Sequence, residues 1–273
     1  MEQHLSTTFL YAAIIGYGAA LLSALILLAS GKRLFSVASL VIMGAAIVMH
    51  SIALLARTLE LGHPPITNLH EYMTTLAWFA AFGYFFIVRT LKNDLVAAFT
   101  IAVILMLMFI AALLPGEGTR NLMPALRSYW LYIHVTAAAA SEGLFAVGCI
   151  ASVLYFVKSF LSPGSRLREK LPHEPQLDAI AYRTIVVGYV LFTLGALFAG
   201  AIWAYRAWGS FWSWDPKETS SLIVWIIYSA YLHLRINRGA QGRLPHLLSI
   251  VGFLAALATF FSSMFLGGLH SYG

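Results

Sequence analysis

Charge is what this sequence has least of. Only 10% of its 273 residues are Asp, Glu, Lys or Arg, while 60% are hydrophobic and the mean hydropathy is +0.80. Soluble domains carry about a quarter charged residues. A soluble fold of this length could not hide so much apolar surface. The scarcity of charge excludes a water-soluble globular protein and leaves an integral membrane protein with little material outside the lipid. Cysteine is almost missing as well. The single Cys149 excludes a disulfide framework or a CxxC pair within the chain. Set in an apolar run, it reads as a small helix-packing residue. There is no internal repeat and no low-complexity tract, and no cleavage-like site follows the first apolar run.

What the chain does have is long apolar runs. A span needs roughly 20 apolar residues, and eight segments qualify: 8–30, 34–56, 71–89, 95–114, 129–157, 184–206, 217–236 and 247–268. The expected fold is an all-α bundle of about eight transmembrane helices, read as one polytopic membrane domain over 1–273. Of the 17 Lys and Arg residues, twelve fall in one set of connections, among them Lys32, Arg33, Lys158, Arg166, Arg168 and Lys170. The other set holds Arg57, Arg120, Arg127, Arg206 and Lys217. The richer set marks the cytoplasmic side. That makes 158–183 a cytoplasmic loop and places both termini, with the loop 207–216, outside. The net charge of +6 is then a topogenic signal and does not call for nucleic acid.

The loop before the seventh segment reads WGSFWSWDPKETS, Trp208 to Ser220. Part of it is explained by ordinary helix physics. Asp215 suits an N-cap, Pro216 suits the first helical position, and Glu218 closes a capping box. Tryptophans also gather at any membrane interface. Yet Trp203, Trp208, Phe211, Trp212 and Trp214 crowd one connection, more than a belt requires. Indole rings pack well on a flat, extended π-system. Histidines narrow the choice of ligand. His134 lies near the outer end of the fifth span and His270 just beyond the outer end of the eighth. His233 lies in the seventh, about 24 Å along the helix from Lys217 and so near the inner leaflet. Ionisable residues within spans are functional candidates, and imidazole is a common axial ligand of haem iron. A quinone is the competing flat ligand, needing one histidine and no pair.

These residues resemble a known family. The stretch WGSFWSWDPKETSSLIVWIIYSAYLH looks like the tryptophan-rich "WWD" signature of haem-handling proteins in cytochrome c biogenesis. GHPPITNLHEYMTTLAW (62–78) resembles the Asn–Glu segment of the CcsA (ResC-like) subunits of the System II cytochrome c synthetase, with Asn68 and Glu71 in the matching places. GLHSYG (268–273) resembles that family's C-terminal end. The resemblance implies that His134 and His270 are axial ligands of an outer haem. It implies that Trp208, Trp212, Trp214 and Asp215 belong to the loop holding that haem. His233 would ligate haem b crossing the membrane, with its mate donated by a CcsB-like partner subunit. Tyrosine is usual where His70 stands, so His70 is not expected to be a ligand.

The function so implied is to carry haem across a bacterial cytoplasmic membrane, or a thylakoid membrane in a plastid relative. The haem would then be presented for covalent attachment to CxxCH apocytochrome c. The thiols belong to the apocytochrome, so the chain needs no nucleophile of its own. A haem exporter or haem-level regulator without ligase chemistry is one alternative, and a quinone-binding subunit of a redox complex is another. Glu142, in mid-span, must be protonated or paired. It either orients a helix by hydrogen bonding or tunes the outer haem. Asn68 and Glu71 either contact the outer site or cap the third span.

Overall fold

In a computed structural model of the chain, residues 5–91, 93–116, 122–266 and 268–269 are described, and they form helices and no strand. Each of the eight apolar segments falls mainly on a long helix. These are α1 (Leu5–Ser30), α2 (Arg33–Leu61), α3 (Leu69–Leu91), α4 (Asp94–Ala112), α5 (Tyr129–Phe160), a rod from Glu174 to Trp208, α9 (Pro216–Asn237) and α10 (Arg243–Leu266). A five-residue α6 (Arg166–Lys170) sits in the connection after α5. The rod consists of α7 (Glu174–Leu191), a π-helical stretch over Phe192–Ala199, and α8 (Gly200–Trp208). Six of these stretches are long and apolar enough to cross a bilayer. The chain is therefore a helical membrane bundle. The rod begins ten residues before the apolar run at 184, because Asp178 and Arg183 lower the hydropathy there without breaking the helix.

The helices fall into two compact units. In the first, spanning 1–121 and 164–172, α1 packs on α2 and α4, and α4 packs on α3. Small residues make this close approach workable. A methyl group added at Gly16 would meet Ala46 Cβ at 2.8 Å, the kind of interface that serves where lipid supplies no hydrophobic drive. Hydroxyls add bonds across it: Ser39 donates to the Ala20 carbonyl at 3.0 Å, and Ser23 to that of Phe35 at 3.0 Å. Deep in the unit, the Tyr17 hydroxyl pairs with His50 Nδ1 at 3.0 Å.

The second unit, spanning 122–163 and 173–273, packs α5 against the rod and α10, and α10 against α9. Its core stacks Phe145 on Tyr228 with ring centroids 3.8 Å apart, and Gly252 makes room for the tyrosine. Cys149 packs against this core, as a small packing residue would. Glycines also bring the rod onto α5. Gly195 lies where a side chain would strike Ala137, and Gly188 where one would strike Phe145. At one end of this unit, Arg235 grips Asp178 through two bonds of 2.9 and 2.6 Å.

Candidate functional site

His134 stands in the second turn of α5, opposite the π-helical stretch of the rod. Its Nδ1 lies 3.1 Å from the Gly195 carbonyl oxygen. A carbonyl only accepts, so Nδ1 carries the proton and Nε2 keeps its lone pair. This is the arrangement that metal-ligating histidines adopt, with the second nitrogen held by an acceptor. The approach depends on glycine twice over. A Cβ at Gly195 would strike Ala137, and one at Gly200 would sit 2.8 Å from the His134 ring. The π-helical turn places that carbonyl here, and such turns recur at functional positions.

Trp203 lies nearly parallel to the His134 ring, with an interplanar angle of 9° and centroids 5.9 Å apart. It is buried, and its Nε1 donates to the Ala125 carbonyl at 2.8 Å. Trp208 meets Trp203 edge-on at 4.8 Å, and Leu122, Leu126 and Leu131 complete the packing. Gly209, in the left-handed region at φ 81°, ends the rod and turns the chain into the loop. Beyond it the aromatics come to the surface. Phe211 is 56% exposed and stacks on Tyr205. Trp214 is 69% exposed and meets Trp212 at 90°. Trp214 also has φ 60°, the one non-glycine residue with positive φ among those described. Backbone strain of this kind tends to collect at functional positions. The tryptophans thus grade from the buried Trp203 against His134, through the half-buried Trp208 and Trp212, to the exposed Trp214.

The acids of DPKE build the loop. Glu218 Oε2 accepts from the backbone N–H of Ser213 at 2.7 Å and of Asp215 at 3.2 Å. Asp215 Oδ2 accepts from the Lys217 N–H at 3.1 Å, and its carboxylate also accepts from the Glu218 backbone N–H, which completes the capping box expected from the sequence. Asp215 is only 5% exposed, and its other oxygen accepts from the Leu269 N–H at 2.6 Å. Glu142 is buried on α5. His270 lies outside the described residues.

His233 is exposed on α9 and lines an open groove of about 580 Å³ with Trp225, Ile226, Ser229, Ala230, Leu234 and Arg238. The Asn237 side-chain amide lies 2.9 Å from its Nδ1. His246 is differently placed. It is buried, pairs with Ser152 through Nδ1 at 3.0 Å, stacks on Tyr155, and has Nε2 3.5 Å from Asp178. Asn68 and Glu71 belong to the first unit. Asn68 Oδ1 accepts the Glu71 N–H at 2.8 Å and so caps α3. The Glu71 carboxylate accepts from the Thr67 N–H and hydroxyl, each at 3.0 Å, and pairs with Arg57 at 3.4 Å. His70 donates from Nδ1 to the Ala111 carbonyl at 2.8 Å, satisfying a carbonyl at the end of α4.

Fold and site together define a polytopic helical membrane protein with an aromatic-rich loop at the end of the rod that packs on His134 through Trp203. The chain belongs to the cytochrome c assembly family, since the profile described as "Cytochrome C assembly protein" matches residues 66–270. Its curated relatives include the cytochrome c biogenesis protein CcsA of Prochlorococcus marinus strain MIT 9215, 40% identical over 78% of this chain and 77% of the relative. The CcsA of strain NATL2A is 37% identical over 81% and 80% of the two chains. Among solved structures, the cytochrome c haem lyase CcmF superposes with a TM-score of 0.73 at 16% identity. The match covers 94% of this chain and 46% of CcmF, so the chain spans about half that protein's length and shares its fold over that part.

Proposed function

We propose that this chain takes up haem b at His233, holds it at an outer site between His134 and His270 beneath the tryptophan loop, and presents it to CxxCH apocytochrome c. The observation that carries the reading is the hydrogen bond from His134 Nδ1 to the Gly195 carbonyl, which leaves Nε2 as a ligand atom next to an aromatic surface. The exposed face of Trp214, with the half-buried Trp212 at its edge, suits a porphyrin. Membership of the family supplies the cytochrome c context. By the Lys and Arg distribution, the loop faces the outside of a bacterial cytoplasmic or thylakoid membrane.

The bond chemistry lies in the substrates. Each apocytochrome thiol adds across a haem vinyl group. Sulfur bonds to one carbon, hydrogen to the other, the π-bond is lost and nothing leaves. The chain's share is ligation, orientation and exclusion of water. His134 holds the iron, the tryptophans fix the plane of the ring, and the Glu218 bonds keep the loop in shape. On the inner side, the groove at His233 opens outward, whereas His246 is buried and occupied with Ser152. That suits a second ligand donated by a CcsB-like membrane subunit. Asn237 Nδ2 donates to His233 Nδ1 at 2.9 Å, which fixes the orientation of the ring at the groove.

Co-expression of this chain, a CcsB-like subunit and an apocytochrome with CxxCH tests the reading. Covalent haem on the apocytochrome is expected. Haem in the purified complex without covalent product would reduce the chain to a haem exporter, and absence of haem would refute the reading altogether.

A further inference from the structure

Four side chains between the rod and α9 close a ring of hydrogen bonds. Tyr189 and Thr193 stand four residues apart on the rod, and Trp225 and Ser229 four apart on α9, the spacing that puts each pair on one helix face. The Trp225 Nε1–H donates to Thr193 Oγ1 at 3.1 Å, and that hydroxyl donates to the Tyr189 carbonyl at 2.8 Å. In the return direction, Ser229 Oγ donates to the Trp225 carbonyl at 2.7 Å. A hydroxyl has one proton, so the 2.8 Å bond between Tyr189 and Ser229 is donated by the tyrosine. The two large rings stack at 24° with centroids 5.9 Å apart. Every donor in the ring has an acceptor, as polar side chains between membrane helices require.

The ring sits where the rod changes register. α7 ends at Leu191 and the π-helical stretch starts at Phe192, so Thr193 is its second residue and Gly195 its fourth. A hydroxyl bonded to the carbonyl four residues back loosens a helix and often bends it. Thr193 makes that bond at the join, and the Trp225 indole fixes the hydroxyl from the neighbouring helix. Two residues on, the Gly195 carbonyl meets His134 Nδ1 at 3.1 Å. A π turn bonds five residues back and an α turn four, so an α-helical register over the same residues would aim that carbonyl elsewhere.

We infer that Thr193 and Trp225 are positioning residues for His134. Their bond holds the π register, and the π register keeps the Gly195 carbonyl on Nδ1 and leaves Nε2 as the ligand atom. The inference rests on the ligand role proposed for His134 and adds what holds that ligand in its tautomer.

Thr193→Val keeps the shape of the side chain and removes the hydroxyl, whereas Thr193→Ser keeps the hydroxyl. Trp225→Phe keeps an aromatic ring against Tyr189 and removes the N–H. The whole complex with its membrane partner is prepared with histidine enriched in the heavy nitrogen isotope. The nitrogen shifts of His134, identified by their loss in His134→Gln, report its tautomer in haem-depleted protein. A protonated Nδ1 is expected in the wild type and in Thr193→Ser, and a mixture of both tautomers in Thr193→Val and Trp225→Phe. The haem-loaded complex gives a second readout, taken on Thr193→Val because Thr193 lies outside the groove at His233. There His134 should weaken as a ligand by about 10–100-fold, the usual effect of losing an outer-shell partner. The absorption spectrum should shift from low-spin towards high-spin character and be restored by imidazole. A tautomer unchanged in both Thr193→Val and Trp225→Phe would overturn the inference. So would an unchanged spectrum in Thr193→Val beside a haem-loaded wild type. A tautomer that shifts as expected in a complex whose wild type never holds haem would uphold the positioning role and sink the proposed function instead.

Discussion

Trp214 is exposed and meets the half-buried Trp212 edge-on, while Trp203 is buried parallel to the His134 ring. This difference makes a prediction at the residue scale. Trp→Phe at 212 or 214 should reduce cytochrome c maturation less than Trp→Ala, because phenylalanine keeps a flat apolar face. Covalent haem staining of the product measures it, and equal damage would point to the indole N–H. Much of this site can be read residue by residue. The capping box follows from the spacing of Asp215, Pro216 and Glu218, and the aromatic crowding is plain in the sequence. The second bond of Asp215 cannot be read there, because a backbone amide 54 residues away leaves no mark in composition. The partnership of Trp203 with His134 escapes for a related reason. The two lie on different helices, and only tertiary packing stacks them. For Asn68 and Glu71 the geometry shows a helix cap and an ion pair within the first unit.

Helix existence and order are legible because runs of 20 apolar residues announce themselves. Which face of a helix meets protein is not. Lipid is as apolar as a core, so the periodicity that marks the inner face of a soluble helix fades. Glycine contacts recover part of the missing information and can be tested. On α1, Gly16 abuts Ala46, whereas nothing lies within 4 Å of the place where a Cβ would stand on Gly18. Gly16→Ala should destabilise the protein by about 1–3 kcal/mol, the usual effect of overpacking. Gly18→Ala should be neutral or stabilise it by up to about 1 kcal/mol through helix propensity. Thermal unfolding in detergent, with both variants side by side, measures the difference. The same reasoning applied to the π-helical stretch predicts that Gly195→Ala pushes the rod from α5 and lengthens the Gly195–His134 bond. Haem occupancy should then fall further than overall stability does, as the ratio of haem absorbance to protein would show.

Across the whole molecule, the histidines sort by what surrounds them. His50 and His246 are buried with Nδ1 on a hydroxyl and Nε2 without a hydrogen-bond partner, His134 has Nδ1 on a backbone carbonyl beside Trp203, and His233 faces a groove. In the complex with a CcsB-like subunit, His233→Ala should therefore lower the haem reaching the outer site. His246→Ala should lower the unfolding temperature, since it opens a hole beside Asp178 and Arg235, yet leave the haem spectrum of the surviving protein unchanged. Matching losses of haem in the two variants would mean that the inner site is built from this chain alone. The most direct measurement concerns His134 itself. The absorption spectrum of the purified complex should show six-coordinate, low-spin haem. In His134→Gly that signature should collapse, and added imidazole should restore it together with part of the cytochrome c maturation. A low-spin spectrum and full maturation in His134→Gly without imidazole would contradict the assignment of His134 as a haem ligand.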